Sequence, residues 1–444
     1  MPHLRHALLA LAGLAPLTGC SSDPVAPAST DAAIDAGTDA AIDAAIDAAI
    51  DAPISLDRPD AAVTPDIAAI PDIAAIPDVP IAPDVPVIVD ASAAPCRVVY
   101  VEMLPNQSRF TPALVVDAAG DPWAVWYGGG QEVNAARVGP TAVTGAWRST
   151  VRTLGVPLRF PAAWNGDSLH VGMVTDMGPT VATFDAAGAT RSAALDLLPA
   201  SQVQDGPWLV RAGAATWAFW RRRTDAPSGG ELVASTVDAT GTMRGPLVTV
   251  AAALSPREIL WDGEAFVMAA VESSTLRLAR VSTTGAVLAD LRLPGASPRV
   301  LQVSLRLGAA GIEVIASDLY RFWYTTAPRD LSAVAPWTRA HTYEQTTEWA
   351  ALGVAGPRRL AAWIDTRYSD RAGTVRVASL DARGAVTGAV LDVATLAVTS
   401  SFGDPISVLP VGTDSWALAW RAQRVSEAPV DGFVARVACP TTPR

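Results

Sequence analysis

The sequence predicts an all-β fold made of seven repeats of four strands each, and three observations predict it. Seven copies of a short apolar strand recur at intervals of about 50 residues between positions 121 and 423. Most copies are followed by a hairpin with a short glycine-containing turn, and no segment of this region favours a helix. A strand that precedes the first repeat can complete the last one, which is a strand short. Seven four-stranded units closed into a ring are typical of a seven-bladed β-propeller.

The chain begins with a segment that predicts export. Residues 1–20 contain Arg5, the apolar run "ALLALAGLAPL" and the tetrad "LTGC", which together are too short to span a membrane and are typical of a secretory signal. The tetrad from Leu17 to Cys20 resembles a bacterial lipobox. That resemblance implies cleavage before a lipid-modified Cys20, and Ser21 resembles the pattern that sorts lipoproteins to the outer membrane. An ordinary secretory signal with a chance cysteine is the alternative.

Residues 21–95 are expected to form a disordered tether. The repeat "DAAIDAAIDAAI" has a period of four, so it provides neither the 3.5-residue seam of a coiled coil nor a face without aspartate for a membrane. The following "PDIAAIPDIAAIPDVPIAPDVPV" carries prolines that exclude helix and favour extended chain. This segment holds 14 of the 44 acidic residues and one arginine, Arg58, so charge repulsion favours an extended, soluble spacer.

The acidity of the chain therefore belongs to the tether. The formal net charge is −11, but residues 96–444 contain 30 acidic and 31 basic residues and are nearly neutral. A basic cluster for nucleic acid is not evident, except for Arg221–Arg223, which we interpret as a solvated loop. We expect no nucleic-acid partner, and we expect a monomer.

The repeats can be divided into strands. The second strand of each repeat gives the seven copies "DPWAVWYGGG", "DSLHVGMVTD", "ATWAFWRRRT", "EAFVMAAVES", "GIEVIASDLY", "RRLAAWIDTR" and "DSWALAWRAQ". The first strands are predicted to begin near Pro112, Pro161, Pro207, Pro256, Pro298, Trp349 and Pro405. The turns between third and fourth strands are predicted to be short, with a residue of positive φ at Gly188, Gly241, Gly285 and Gly384.

Two features favour a closed ring. In "WAVW" and "WAFW" the tryptophans are three residues apart, so they point to opposite faces of a sheet that has neighbours on both sides. The strand "CRVVYVEM" at 96–103 should pair with "DGFVARVAC" at the end of the last repeat, which places Cys96 and Cys439 at the same end of an antiparallel pair. In an exported protein this arrangement predicts a disulfide across the seam. Two unpaired buried thiols are the alternative.

One repeat carries a more specific pattern. Residues 361–384, "AAWIDTRYSDRAGTVRVASLDARG", resemble secreted bacterial propeller repeats of the form W-x-D-x-R followed by an alternating strand that ends in D-x-x-G. Trp363, Asp365, Arg367, Asp381 and Gly384 occupy the matching positions. The resemblance extends weakly over 104–439, and it implies a fold and not a function.

A ligand site is predicted on one rim of the propeller. Loops between second and third strands differ in length and composition, whereas the turns on the opposite rim are mostly short and alike. The entrances of the inner strands on the variable rim carry Arg109, Arg159, Arg257 and Arg299, near Asp205 and Asp404. These arginines could bind a carboxylate or sulfate, and Asp365 and Arg367 are further candidates. Ion pairs with acids of adjacent blades are the alternative.

Catalysis has little support in the sequence. His170 and His341 are the histidines of the folded part and stand singly, which disfavours a histidine metal centre or a Ser-His-Asp triad. No phosphate loop or calcium loop occurs, so no cofactor and no metal are expected. Tyr127 or Tyr368 beside arginines is superficially similar to sialidase-type propellers, but their S-x-D-x-G-x-x-W box is absent. Asp365 and Asp370 could serve as the paired carboxylates of glycoside hydrolysis. The alternative is that each forms a salt bridge with a basic residue of the loop.

Three functional hypotheses remain from the sequence. The first is a non-catalytic propeller, lipid-anchored in the cell envelope and expected at the outer membrane, that binds a protein or glycan through its variable rim. The second is a sialidase-like glycoside hydrolase acting on acidic glycans. The third is a structural spacer in the envelope. The predicted domains are a signal peptide at 1–20, a tether at 21–95 and a propeller at 96–444.

Overall fold

The structure, a computed structural model, describes residues 96–439 except for short gaps. The gaps are residues 109, 129–131, 152–160, 176–177, 193–194, 198–202, 225–229, 243, 251–253, 273–274, 294–299, 301, 319–320, 343–345, 367–371, 397–405 and 424–429. The predicted signal, Cys20 and the tether lie outside the described residues. Within the described part, no helical segment has the length and hydropathy needed to traverse a bilayer.

The described residues form seven antiparallel four-stranded sheets, which are the blades of a β-propeller and are numbered 1 to 7 in the chain order of their innermost strands. The innermost strands are β2 (Ala113–Val116), β6 (Ala162–Asn165), β10 (Val203–Ala212), β14 (Pro256–Trp261), β18 (Gln302–Gly308), β22 (Thr346–Ala355) and β26 (Ser407–Pro410). The second strands are β3 (Pro122–Gly128), β7 (Ser168–Thr175), β11 (Ala215–Arg222), β15 (Phe266–Glu272), β19 (Gly311–Ser317), β23 (Arg358–Thr366) and β27 (Ser415–Gln423). The predicted all-β, seven-bladed fold is confirmed.

The third and fourth strands complete each blade. The third strands are β4 (Glu132–Val138), β8 (Gly178–Phe184), β12 (Glu231–Val237), β16 (Thr275–Val281), β20 (Arg321–Ala327), β24 (Gly373–Leu380) and β28 (Val430–Ala438). The outermost strands are β5 (Val143–Thr150), β9 (Leu195–Asp196), β13 (Val248–Thr249), β17 (Val287–Leu293), β21 (Thr338–Thr342), β25 (Val386–Leu396) and β1 (Arg97–Gln107). Burial is greatest in the second strands, since β3 and β19 are buried throughout, whereas the inner strand β2 is partly buried and the outer strands β5 and β17 alternate toward solvent.

The ring closes through its first strand. β1 pairs with β28 in antiparallel register, so the last blade has the order β1-β28-β27-β26 and combines the two ends of the folded region. Arg97 lies opposite Ala438, and the neighbouring Cys96 and Cys439 form a disulfide with Cα atoms 4.0 Å apart. The predicted seam strand and the predicted disulfide are therefore confirmed.

The tryptophans on second strands face both neighbouring blades, as predicted. Trp123 packs against Trp164 of blade 2, with ring centroids 5.6 Å apart. Trp126, three residues later, belongs instead to a cluster with Ala417 and Val434 of blade 7. The same sheet thus contributes apolar side chains to two separate interfaces, which explains why its second strand has no solvent-facing side.

The D-x-x-G turns fold as predicted and also dock neighbouring blades. In the turn between β24 and β25, Asp381 Oδ1 accepts hydrogen bonds from the amides of Arg383 (2.8 Å) and Ala385 (2.9 Å), while Gly384 adopts a φ of +85°. A Cβ on Gly384 would lie 2.0 Å from the ring of Tyr324 in the preceding blade. The glycine is thus required by both conformation and contact.

Several predicted boundaries were wrong. β10 begins at Val203, four residues before Pro207, and β22 begins at Thr346, before Trp349. The turns at Gly188 and Gly241 are short and have positive φ as predicted, because Phe184 bridges Thr190 and Val237 bridges Arg244 across them. The two-residue outer strands β9 and β13 are nevertheless separated from β8 and β12 by ten residues each. The predicted starts at Pro298 and Pro405 lie outside the described residues.

The interpretation of Arg221–Arg223 as a solvated loop was wrong for its first two residues. Arg221 and Arg222 lie in β11, where side chains can pair across strands. Arg222 forms an ion pair with Glu231 of β12. Arg221 donates a 3.4 Å hydrogen bond to Ser255, which precedes the inner strand of the next blade.

Candidate functional site

The inner strands converge on a cavity of about 160 Å³ in the central channel. We call this space the channel cavity; it is lined by Thr111, Ala113, Leu114, Glu258, Gln302, Val303, Ser304, Arg306, Ala351, Ile406, Ser407 and Val408. These residues come from blades 1, 4, 5, 6 and 7, and most lie near the start of an inner strand. Since inner strands start at the rim that carries the loops between second and third strands, the cavity lies toward that variable rim.

An ion pair crosses the cavity wall. Arg306 donates from Nη1 to Glu258 Oε1 at 2.7 Å, and the amide of Leu305 donates to Glu258 Oε2 at 2.8 Å. Arg306 also donates from Nη2 to the carbonyl oxygen of Val408 at 3.2 Å and from Nη1 to its neighbouring Leu305 carbonyl at 2.6 Å. The pair therefore joins blades 4, 5 and 7, and its two charges compensate each other.

Two buried polar groups in the cavity have no hydrogen-bond partner among the described residues. They are Oε1 of Gln302, a residue 3% exposed, and Oγ1 of Thr111, a residue 4% exposed. The hydroxyls of Ser304 and Ser407 are engaged, the first accepting from the amide of Leu352 (3.3 Å) and the second donating to the carbonyl of Pro112 (3.0 Å). Buried polar atoms are normally satisfied, so these two groups mark a place where an occupant fits.

The predicted rim arginines are mostly beyond the described part of the chain. Arg109, Arg159, Arg299 and Arg367 lie outside the described residues, as do Asp370, Asp404 and Tyr368. Arg257 is described and is exposed at an irregularity in the pairing of β14 with β15. It makes no side-chain hydrogen bond or ion pair with any described residue, whereas its neighbour Glu258 points into the channel cavity.

Asp365 lies near the end of the second strand of blade 6, close to the variable rim, and is paired with Thr347 of the inner strand β22. It is 6% exposed and forms an ion pair with Arg376, whose Nε also donates to Asp392 at 2.8 Å. Burial of Arg376 lowers its pKa, but the two carboxylates outweigh that effect and raise the pKa overall. Asp205 at the start of β10 accepts a 2.8 Å hydrogen bond from the amide of Gly206.

The two histidines lie in different blades. His170 is fully buried in blade 2, its Nε2 lies 3.4 Å from the carbonyl oxygen of Ala239, and its Nδ1 has no partner among the described residues. His341 packs between the rings of Phe322 (6.1 Å) and Trp363 (5.3 Å). Burial lowers the pKa of both imidazoles, which favours their neutral forms. Within the described residues, no group of three or more His, Cys, Asp or Glu side chains could hold a metal ion.

Sequence reasoning missed the residues that line the channel cavity. Gln302, Ser304 and Arg306 alternate along β18 and so share one face of an inner strand. Three polar residues on one face of the strand "QVSLRLG" were a signal that could have located the cavity. Glu258 and Thr111 had no comparable signal, because they belong to other blades and only the packing of the blades brings them to the same cavity.

Comparisons with known proteins give a likeness of fold. No protein-family model matches the chain, and no curated protein matches it. BamB from Moraxella catarrhalis is 13% identical, with 77% of this chain and 98% of that chain covered and a TM-score of 0.40. A protein of unknown function from Dyadobacter fermentans is 9% identical, covering 78% of this chain and 99% of that chain with a TM-score of 0.46. A subtype N11 neuraminidase-like protein of a flat-faced bat isolate from Peru is 8% identical, covering 80% of this chain and 95% of that chain with a TM-score of 0.39. At TM-scores below 0.5, none of these likenesses carries an argument about function.

Proposed function

We propose that this protein is a non-catalytic binding module of a bacterial cell envelope, anchored by a lipid on Cys20 and held away from the membrane by residues 21–95. The Cys96–Cys439 disulfide supports export, since disulfides persist in oxidising compartments. The aspartate-rich and proline-rich composition of 21–95 suits a spacer. The "LTGC" tetrad supports the anchor and its expected place in the outer membrane.

The observation that carries the proposal is the chemical difference between the two rims. One rim holds D-x-x-G turns whose polar groups are satisfied within the turn, as at Asp185, where Oδ1 accepts from the amides of Ala187 and Ala189 at 2.9 Å. On the other rim, connections between second and third strands range from two residues (176–177) to eight (223–230). That rim also carries the exposed, unpaired Arg257 described above. Ligand contacts usually occur on loops that differ from one another and are held by a rigid scaffold.

A binding experiment tests the proposal. Full-length protein carrying Cys20→Ser, which removes the lipid site, is immobilised and probed with a glycan array and with solubilised envelope fractions. We expect saturable binding that Arg257→Ala weakens by about fivefold, or ~1 kcal/mol. Arg383→Ala is the matched control, because Arg383 is exposed on the opposite rim. Equal losses in both variants would contradict a site on the variable rim.

The same material tests the absence of catalysis and the anchor. Incubation with sialoside and uronide substrates should release no product, and product formation lost in Asp365→Asn would favour the hydrolase hypothesis instead. Mass spectrometry of the membrane-associated protein should find an N-terminal peptide that begins at a lipid-modified Cys20. An unmodified peptide that reads through Cys20 would contradict the anchor.

A further inference from the structure

The channel cavity has the volume needed to hold a molecule with one small ring. A cavity of about 150 Å³ accommodates one six-membered ring, and the channel cavity measures about 160 Å³. Its walls combine apolar side chains such as Val303 and Ile406 with the polar groups of Thr111, Gln302 and Arg306. Such a mixture matches a ligand that has both apolar faces and polar edges.

The charges of the cavity favour a neutral ligand. Both carboxylate oxygens of Glu258 already accept a hydrogen bond, and the guanidinium of Arg306 is bound to Glu258 and to the carbonyls of Leu305 and Val408. An incoming carboxylate or sulfate would compete with Glu258 for Arg306, and it would leave a partly buried negative charge without its partner. The cavity therefore offers hydrogen bonds without a free positive charge.

The two unpartnered groups specify hydrogen-bonding chemistry. Oε1 of Gln302 only accepts hydrogen bonds, so it requires a donor from the occupant. The Thr111 hydroxyl can donate or accept. Leaving such groups buried and unpaired destabilises the protein, so a ligand that pairs them gains affinity. Two hydroxyl groups of one ring can satisfy both, because each hydroxyl donates one hydrogen bond and accepts others.

We propose that the channel cavity binds a neutral, hydroxyl-bearing six-membered ring, such as a hexopyranose unit of a glycan. Its hydroxyls bond to Gln302 and Thr111, and its C–H faces lie against the apolar walls. The inference rests on the proposed function for the source of the sugar, namely a glycan of the cell envelope. The cavity site differs from the rim site in location and in the charge of the ligand, because the rim arginines suit an acidic ligand.

Saturation-transfer NMR with free sugars tests the inference. The full-length Cys20→Ser protein is titrated with glucose, galactose, mannose and N-acetylglucosamine, and with glucuronate as the charged counterpart. We expect saturable binding of at least one neutral sugar, and weaker binding of glucuronate. Gln302→Met and Thr111→Val, which keep side-chain size and remove the polar atoms, should each weaken that binding by about tenfold.

Controls separate loss of the site from loss of the fold. Thr216→Val removes a hydroxyl that is likewise buried and unpartnered but lies in blade 3, away from the cavity, so it should leave sugar binding unchanged. Thr111→Val removes an unsatisfied buried group and should not lower the melting temperature. No saturation transfer from any of the four neutral sugars at 100 mM, binding insensitive to both cavity variants, or tighter binding of glucuronate would overturn the inference.

The two proposals can fail separately. Saturable binding of a free sugar, when neither the glycan array nor the envelope fractions give binding that depends on Arg257, supports the cavity site and contradicts the rim module. Rim binding that is lost in Arg257→Ala, without any free-sugar signal, supports the module and overturns the cavity site. Arg257→Ala should not change the affinity for free sugar, because Arg257 does not line the channel cavity.

Discussion

The guanidinium of Arg359 forms two hydrogen bonds with the carboxylate of Glu313, at 2.6 and 2.8 Å, across the boundary between blades 5 and 6. Tyr324 adds a third, donating its hydroxyl to Glu313 at 2.8 Å. Burial raises the pKa of the Tyr324 hydroxyl, and the negative charge of Glu313 raises it further. Burial acts to lower the pKa of Arg359, but its bonds to Glu313 raise it overall. The result is a satisfied, charge-compensated network inside an otherwise apolar interface.

Removing one member of this network should destabilise the propeller strongly. Arg359→Met leaves Glu313 as an uncompensated buried charge, and we expect a loss of about 3–5 kcal/mol in the free energy of unfolding. Tyr324→Phe removes the bond to Glu313 and the 2.9 Å bond that the hydroxyl accepts from Arg359 Nε, and it should cost about 1.5–3 kcal/mol. Urea denaturation followed by tryptophan fluorescence measures both.

The double variant Glu313→Leu/Arg359→Met distinguishes loss of the ion pair from the cost of leaving one buried charge unpaired. With both charges gone, no buried charge is left unpaired, so the double variant should be more stable than Arg359→Met alone. If the double variant loses as much stability as Glu313→Leu and Arg359→Met lose together as single variants, the two residues act independently. That outcome would contradict the coupling inferred from their geometry.

The contact between Gly384 and Tyr324 gives a second prediction about blade docking. Gly384→Ala should lower stability for two reasons, because a positive φ costs about 1–2 kcal/mol for alanine and because the new Cβ would meet the Tyr324 ring. Gly388→Ala is the matched control, since Gly388 has a φ of +71° and open space around its Cβ position. The difference in melting temperature between the two variants measures the contact. Equal melting temperatures would show that the blades adjust without cost.

Local signals in the sequence were sufficient to predict the repeat and its turns. The apolar second strands, the turn glycines such as Gly384 and the cysteines at the seam all depend on residues whose partners are set by strand period or turn type. Strand starts were less predictable, because β10 continues past Pro207 through an irregular pairing with β11. Proline predicts a boundary at that point, but pairing of Val203 and Asp205 with Arg222 and Arg221 extends the strand.

The channel cavity could not be predicted in the same way. Arg306 meets Glu258, 48 residues away, and Val408, 102 residues away, only because the ring brings blades 4, 5 and 7 together. In sequence, Arg257 was the more conspicuous residue of β14. Its side chain is exposed and Glu258 lines the cavity, because the strand shifts register between Pro256 and Glu258. A one-residue shift exchanges the faces of a strand, so a small irregularity changes which side chain reaches the channel cavity.

The buried histidines predict a loss of stability in mild acid. Burial lowers the folded-state pKa of His170, so below pH ~6.5 the unfolded chain takes up a proton that the folded chain does not. Stability should therefore fall as the pH decreases from ~6.5, by up to about 1.4 kcal/mol per pH unit for each such histidine. Melting temperatures at pH 7.5, 6.5 and 5.5 provide the test. His170→Gln, which cannot titrate, should reduce the dependence, and an unchanged slope would show that other groups cause it.

The disulfide at the seam gives the last prediction. Cys96 and Cys439 are separated by 343 positions, and loop-closure entropy for a cross-link of that length corresponds to about 6 kcal/mol, an upper bound because the unfolded chain keeps some structure. Cys96→Ser/Cys439→Ser should therefore lower the melting temperature markedly, even though β1 still pairs with β28 along the same register. Dithiothreitol should lower the melting temperature of the native protein toward that of the double variant, and it should leave the melting temperature of the double variant unchanged. Cys20→Ser serves as the control for removal of a cysteine outside the seam. If reduction has no effect on the native protein, the strand pairing alone would account for closure of the ring.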